Sequence, residues 1–296
     1  MKIARRDFIR QTIAGAAAVT AAGFSAPSVE AADGQAATTA LQPESFCFCV
    51  AADPHCGEPP KEGLETMGDG VAKFVRCFEV LQGLDEAERP DFLLVAGDVH
   101  PWALLGHEDK LAIPVYATAG NHESSREKRQ QLRQVFGRGF ERDGKESDYY
   151  SFVHKGVRFV AMCDAGSGGD HVGHLCSETI SPAGQCEWLE QELAQPEPKI
   201  LFAHIPPQPD GADVTMYLSR NDSRWFRELV ERTKPQALFF GHLHKPTEEY
   251  SIGETRCFNV RSCCWNFGRA PLGLLHVRVT PAGLQVRELE TERYTA

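Results

Sequence analysis

Side chains able to bind metal ions follow five short apolar runs of this chain, each at the point where the run ends. They are Asp53, His55, Asp98, Asn121, His122, His204, His242 and His244. Carboxylate oxygens, an amide oxygen and imidazole nitrogens together suit cations such as Mn, Fe and Zn. The residue types therefore indicate a metal site.

The apolar runs have the length of buried strands. They cover residues 46–52, 92–96, 113–119, 199–203 and 237–240. Continuous apolar runs predict strands that are covered on both faces. Apolar residues at helical spacing predict helices over 71–81, 123–136, 182–194 and 221–233. Residues 157–163 predict a further strand, and residues 272–289 an antiparallel pair. The sequence therefore predicts an α/β fold, and ligands of such folds bind at the carboxyl ends of the strands.

The metal-binding residues belong to short motifs that contain glycine. Gly97-Asp98 and the Gly-Asn-His-Glu run at 120–123 are two of them, and the Gly-His-Leu-His run at 241–244 is another. Each motif alone occurs often, but their ordered appearance at successive strand ends arises rarely by chance. A carboxylate such as Asp98, at the end of an apolar strand, would be costly to bury without a cation.

In this order the motifs resemble those of the calcineurin-like metallophosphoesterase superfamily, over residues 46–244. The resemblance implies a four-layered α/β/β/α sandwich in a single domain, residues 46–296. It also implies two metal ions bridged by Asp98, of a kind that the ligands leave open among Mn, Fe, Zn and similar ions. The implied ligands of one ion are Asp53, His55, Asp98 and His244. Those of the other are Asp98, Asn121, His204 and His242.

The resemblance gives His122 a catalytic role, in which it donates a proton to the leaving group or stabilises its charge. Many family members place a second aspartate three residues after the one that matches Asp98, and it orients this histidine. Here that position is Pro101. The orienting partner of His122 is then absent or another carboxylate, with Glu123 and Asp164 as alternatives.

Three functions are compatible with these residues. The leading one is hydrolysis of a small phosphate ester by metal-activated water, with substrate-binding residues left unassigned. The second is a cyclic-nucleotide or other phosphodiesterase. The third is a metal- or ligand-binding module without catalysis, which would have no need of a leaving-group residue such as His122.

The first residues have the order of an export signal. Arg5-Arg6 is followed by an uncharged, Ala-rich stretch at 12–24 and by small residues near 29–32. This pattern resembles a twin-arginine signal peptide and predicts one over residues 1–31, followed by a short tether over 32–45. It implies recognition by the export machinery and a periplasmic or extracellular location, with no stable membrane anchor after signal removal.

The overall composition is that of a globular protein. Of 296 residues, 42% are hydrophobic and 24% charged, and the net charge is −10. An acidic chain without a basic patch predicts no nucleic-acid partner. The chain has ten cysteines. In an oxidising compartment they allow one or two disulfides, whose pairing the sequence leaves open.

Overall fold

A computed structural model describes residues 44–59, 68–166, 170–212 and 214–293. These all belong to one compact unit, residues 41–296. The predicted signal peptide and all but the last two residues of the predicted tether lie outside the described residues. No helix in the described ranges is both long and apolar enough to cross a membrane.

Over the described residues the chain forms thirteen strands and four α-helices. The strands are β1 Phe46–Ala52, β2 Leu93–Ala96, β3 Val115–Thr118, β4 Glu141–Arg142, β5 Lys145–Glu146, β6 Tyr150–His154, β7 Val157–Ala161, β8 Lys199–Phe202, β9 Ala237–Phe240, β10 Glu248–Ile252, β11 Thr255–Asn259, β12 Leu272–Thr280 and β13 Gly283–Glu292. The helices are α1 Gly70–Gln82, α2 Arg126–Phe136, α3 Gln185–Leu193 and α4 Arg220–Thr233.

The long strands form two mixed sheets. The first has the order β13-β12-β1-β2-β3, and the second has the order β10-β11-β9-β8-β7-β6. β1, β2 and β3 run parallel in the first sheet, as do β7, β8 and β9 in the second. The carboxyl ends of the parallel strands in each sheet therefore lie at one edge of that sheet.

Aromatic side chains join the two sheets face to face. The ring of Phe48 on β1 lies 5.2 Å from that of Phe159 on β7 and 6.0 Å from that of Phe239 on β9, both edge-on. All three side chains are buried. Burying such rings contributes about 1.5–3 kcal/mol each, so this layer is a main source of cohesion between the sheets.

The helices cover the outer faces. α1 and α2 contact the first sheet, and α4 contacts β10 of the second. On α1 the buried residues Phe74, Phe78 and Leu81 recur at helical spacing, which is how a surface helix presents one apolar face to a sheet. Arg158 on β7 pairs with Glu192 on α3 at 2.9 Å. The predicted α/β/β/α sandwich is confirmed.

The boundaries of two predicted helices differ from the structure. The helix predicted over 123–136 begins at Arg126, after a single 3₁₀ turn at Asn121–Glu123. Ser125 caps α2 by accepting a hydrogen bond from the N–H of Lys128. The helix therefore begins after Ser125 and does not include Glu123. Similarly, α3 begins at Gln185 rather than near residue 182. A disulfide between Cys176 and Cys186 ties the preceding loop to α3.

Candidate metal centre

The structure brings all seven predicted metal ligands together at the carboxyl ends of five strands. The loops after β1, β2 and β3 come from the first sheet, and those after β8 and β9 come from the second. Asp53, His55, Asp98, Asn121, His204, His242 and His244 are all buried. The site thus lies where the two sheets meet, and each sheet supplies part of it.

One cluster contains Asp53, His55 and His244, three residues able to hold a metal ion. The Nε2 atoms of His55 and His244 lie 3.1 Å apart. Oδ1 of Asp53 is 3.4 Å from Nε2 of His244 and 4.0 Å from Nε2 of His55.

The second cluster contains Asp98, His204 and His242. Nε2 of His204 lies 3.1 Å from Oδ2 of Asp98 and 3.1 Å from Oδ1 of Asn121. Nδ1 of His242 lies 3.1 Å from the same Nε2 atom. Two imidazole nitrogens, a carboxylate and an amide oxygen therefore converge here.

Asp98 lies between the two clusters. Its Oδ2 atom is 3.1 Å from His204 in one cluster and 3.7 Å from His55 in the other. A single carboxylate oxygen thus faces both sets of donors, which is the arrangement that a ligand shared by two cations requires.

The hydrogen bonds of two histidines fix which ring nitrogen faces the clusters. Nδ1 of His204 donates to the carbonyl of Ala96, and Nδ1 of His244 donates to that of Trp265, both at 2.8 Å. Because a carbonyl only accepts, Nδ1 of each ring carries a proton, and Nε2 is the atom that faces the cluster. Nε2 of each ring is therefore the atom that can bind a metal ion once it carries no proton, so these residues fit metal ions.

Glycines allow the strand ends to approach closely. A Cβ on Gly241 would lie 2.6 Å from Oδ2 of Asp53, so any other residue would displace that carboxylate. Gly97 has a φ of +75° and packs against the ring of His204. These contacts explain why glycine precedes Asp98 and His242 in the sequence motifs.

The charges of the two clusters are strongly linked. Burial opposes a charge on Asp98, but the neighbouring imidazole of His204 holds the pKa of Asp98 well below its usual value. Burial also opposes a charge on His204, yet Asp98 raises the pKa of His204 to about 10. Burial, reinforced by His204, lowers the pKa of His242 to about 3. His242 is therefore neutral and ready to bind a metal ion, whereas His204 must first lose a proton.

His122 lies at the rim of the site with 29% of its side chain exposed. Its backbone N–H donates to Oδ1 of Asp98 at 3.0 Å, and its Nε2 lies 3.9 Å from Oδ2 of the same residue. Its ring stacks on that of His100, with centroids 4.7 Å apart. Burial lowers the pKa of His122. Its position is suitable for contact with a substrate on the metal ions.

The two carboxylates considered as partners of His122 have other roles. Glu123 accepts hydrogen bonds from the N–H groups of His100 and Gly120. Asp164 accepts them from the N–H groups of His204 and Ile205. Glu123 thus holds the backbone next to Asn121, and Asp164 holds the backbone of His204. Burial raises the pKa of both carboxylates to about 7. The ring of His122 is instead held by stacking on His100, beside Pro101.

A model of the family described as calcineurin-like phosphoesterase matches residues 48–246. The chain belongs to this family. As a calcineurin-like phosphoesterase it is a metal-dependent phosphoric ester hydrolase, and the two Asp/His clusters fit its two metal ions.

Two related proteins have the same printed name. The chain is 30% identical over 201 residues to a "probable cyclic nucleotide phosphodiesterase" of Rhodopseudomonas palustris, covering 58% of this chain and 69% of that protein. It is 28% identical over 193 residues to a second "probable cyclic nucleotide phosphodiesterase", from Rhodococcus erythropolis, and spans only 60% of that protein.

The fold recurs in solved structures. A dimetal phosphatase from Danio rerio matches with a TM-score of 0.58 at 17% identity, covering 84% of this chain and 97% of that one. At this identity the likeness establishes a shared fold.

Sequence reasoning missed several residues that support the phosphoesterase site. Glu58, three residues after His55, lies 2.7 Å from its Nδ1 atom. Ser262 donates its hydroxyl to the carbonyl of Asp53, and the ring of Trp265 stacks on His244 at 3.7 Å. The spacing of Glu58 from His55 is a local signal that could have been used. Ser262 and Trp265 lie far along the chain and have no such signal.

Proposed function

We propose that this phosphoesterase hydrolyses phosphodiesters, and that cyclic nucleotides are its substrate class. The observation that carries the hydrolytic part is the position of Asp98, whose Oδ2 atom faces imidazoles of both clusters. The names of the two relatives favour the diester over the monoester.

The seven buried residues divide between the two metal ions according to their distances. Asp53, His55 and His244 would hold one ion, His204, His242 and Asn121 would hold the other, and Asp98 would be shared by both. When bound, the ions would supply Lewis acidity for water and for the phosphoryl oxygens. Asp98 is anchored by the hydrogen bond that it accepts from the N–H of His122.

His122 acts on the leaving group. It is partly exposed, lies beside Asp98 and is directed by the ring of His100. Hydrolysis forms a bond from phosphorus to the water oxygen and breaks the bond from phosphorus to one ribose oxygen. That ribose oxygen needs a proton because an alkoxide is a poor leaving group. His122 in its protonated form donates this proton and becomes neutral, an effect that is worth about 10²–10⁴ in rate.

Two exposed aromatic side chains lie beside histidines of the site and would bind a base. Trp102 is 37% exposed, and its ring lies 4.8 Å from that of His100 in a tilted arrangement. Phe267 is 51% exposed, and its ring lies 6.4 Å from that of His244. Stacking on such rings is worth about 1–3 kcal/mol per base and does not depend on base identity.

The proposal is tested by comparing substrates on one enzyme preparation loaded with Mn or Zn. We expect cyclic AMP and bis-p-nitrophenyl phosphate to be hydrolysed with a higher kcat/KM than p-nitrophenyl phosphate. The variants Trp102→Ala and Phe267→Ala should raise the KM for cyclic AMP. Leu105→Ala, which removes a side chain exposed to 48%, is the control.

Preferential hydrolysis of p-nitrophenyl phosphate would overturn the diester proposal in favour of a phosphatase. Metal binding without turnover of any of these esters would overturn the hydrolytic proposal as a whole.

We also propose that the protein is exported through a twin-arginine signal over residues 1–31. Arg5-Arg6 and the uncharged stretch behind it support this proposal, and so does the Cys176–Cys186 disulfide, because disulfides persist in oxidising compartments. A fusion of residues 1–45 to a reporter that is active only after export should be exported, and Arg5→Lys with Arg6→Lys should abolish export. Equal export of both fusions would contradict the proposal.

A further inference from the structure

A second group of potential ligands lies beside the two proposed metal sites. It consists of His55, Glu58, His100 and His122, each of which offers a ligand atom within 4.8 Å of those of the others. His55 is a predicted ligand of the first cluster and already directs Nε2 towards His244. Glu58, His100 and His122 are outside both sets of proposed ligands.

His100 is the unexplained member of the group. It is 96% buried, yet neither ring nitrogen has a hydrogen-bond partner within the described part of the chain. Burying such a group without a partner costs about 1–3 kcal/mol. Its backbone is fixed by the bond from its N–H to Glu123, and its ring lies between those of His122 and Trp102. A cation would pair with a ring nitrogen of His100 that no described residue pairs with.

Glu58 supplies an oxygen on the same side. One carboxylate oxygen, Oε2, lies 2.7 Å from Nδ1 of His55 and orients that ring. A carboxylate has two oxygens that each carry lone pairs, so the same carboxylate can orient a histidine and bind a cation at the same time. Two imidazoles and one carboxylate form a donor set typical of zinc sites that keep an open position.

We propose that Glu58, His100 and His122 form a third, weaker cation site of zinc type, and that its occupancy inhibits the enzyme. The inhibitory part rests on the proposed function, since a cation bound to a ring nitrogen of His122 takes the place of the proton that this residue donates to the leaving group. The ammonium of Lys128, 2.9 Å from the carbonyl of His122, adds a repelling charge nearby. The third site should therefore be weaker than the two that contain Asp98.

The test is the zinc stoichiometry of the purified chain, measured by calorimetric titration of metal-stripped protein and by elemental analysis after equilibrium dialysis. We expect two tightly held zinc ions and a third that binds at least about tenfold more weakly. His100→Phe keeps the stacked, buried ring and removes both nitrogens, so it should bind two. Glu58→Gln should lower the affinity for the third ion at least about tenfold, as loss of a metal-orienting carboxylate does. His107→Phe, a histidine outside the group, is the control and should bind three.

Saturation of the unaltered protein at two zinc ions would overturn the site, and so would a third ion that persists in His100→Phe. Circular dichroism and retention of the two tight ions show that His100→Phe is folded. If it is not, Glu58→Gln decides: a third ion of unchanged affinity in that variant overturns the site.

Inhibition is measured separately. The rate of phosphodiester hydrolysis at increasing free zinc is divided by the rate of the same protein at two equivalents of zinc. This ratio should fall for the unaltered protein and stay flat for His100→Phe. A third zinc ion that binds without lowering the ratio would overturn the inhibition and leave the site. Failure of the proposed function looks different, because two-zinc protein would then hydrolyse no phosphodiester at all.

Discussion

Oδ2 of Asp98 lies 3.1 Å from Nε2 of His204, although the carboxylate follows a strand of the first sheet and the imidazole follows a strand of the second. The contact joins the two halves of the sandwich at the functional site. A cation between them would strengthen that junction, so metal binding and the relative position of the sheets are coupled.

Replacing Asp98 with asparagine should remove metal ions from both clusters at once, because one oxygen faces donors of each. We expect metal content below one ion per chain after dialysis. Hydrolysis of bis-p-nitrophenyl phosphate should fall by at least about 100-fold, the upper end of what loss of a metal-orienting group costs. Asp91→Asn, at an ion pair with Lys155 on the surface, is the control. Full metal content in Asp98→Asn would show that this carboxylate is not shared.

Metal uptake by protein stripped with a chelator should release a proton from His204. Burial disfavours the imidazolium, but Asp98 raises its pKa to about 10, so His204 is protonated at neutral pH. A metal ion binds only the neutral ring, so the apparent affinity should rise with pH, by up to about tenfold per unit, and level off above pH ~10. Calorimetry in buffers of different ionisation enthalpy measures the release. Binding enthalpies that do not depend on the buffer would contradict this prediction.

His122→Asn should separate metal binding from chemistry. We expect two bound metal ions, because His122 is outside both proposed ligand sets. We also expect a kcat on cyclic AMP that is lower by about 10²–10⁴. The loss on bis-p-nitrophenyl phosphate should be much smaller, since p-nitrophenolate leaves without a proton. His174→Asn, in the loop before the disulfide, is the control. Equal losses on the two substrates would argue that His122 acts on binding or folding instead.

Asp164→Ala should loosen the second metal site without removing a ligand. Asp164 accepts hydrogen bonds from the N–H groups of His204 and Ile205. Leaving two buried N–H groups unpaired costs about 1–3 kcal/mol each in unfolding free energy, measured in urea. The affinity for metal should fall by about 10–100-fold. Asp164→Asn keeps an accepting oxygen, so its metal affinity should lie between that of the unaltered protein and that of Asp164→Ala. Unchanged metal affinity in Asp164→Ala would show that this carboxylate does not position His204.

The sequence predicted the centre of the fold well and its edges poorly. The strands that carry the site are continuous apolar runs, and β1, for example, is buried along its whole length. β6 and β10 lie at the edges of the second sheet and gave no such signal. Val153 on β6 is half exposed, and β10 begins with two exposed glutamates. Edge strands are specified by their neighbours more than by their own composition.

The clustering of the predicted metal ligands could be foreseen because each follows a strand within a few residues, whereas the residues that support them could not. Ser262 bonds the carbonyl of Asp53 across 209 positions of the chain. The stacking of His100 on His122 depends on a left-handed backbone at His100, with φ of 58° before Pro101. Such contacts arise from loop conformation, which residue spacing does not encode. The same loops bury the ring of His100, whose nitrogens have no hydrogen-bond partner among the described residues.

The most direct test of the dinuclear account is the metal content of the purified chain, measured together with its hydrolysis of bis-p-nitrophenyl phosphate before and after chelation. The account predicts two tightly bound metal ions per chain, loss of activity as both are removed, and its recovery when Mn or Zn is restored. Hydrolysis that survives complete removal of metal would contradict it, as would a chain that holds two ions and hydrolyses no phosphoester.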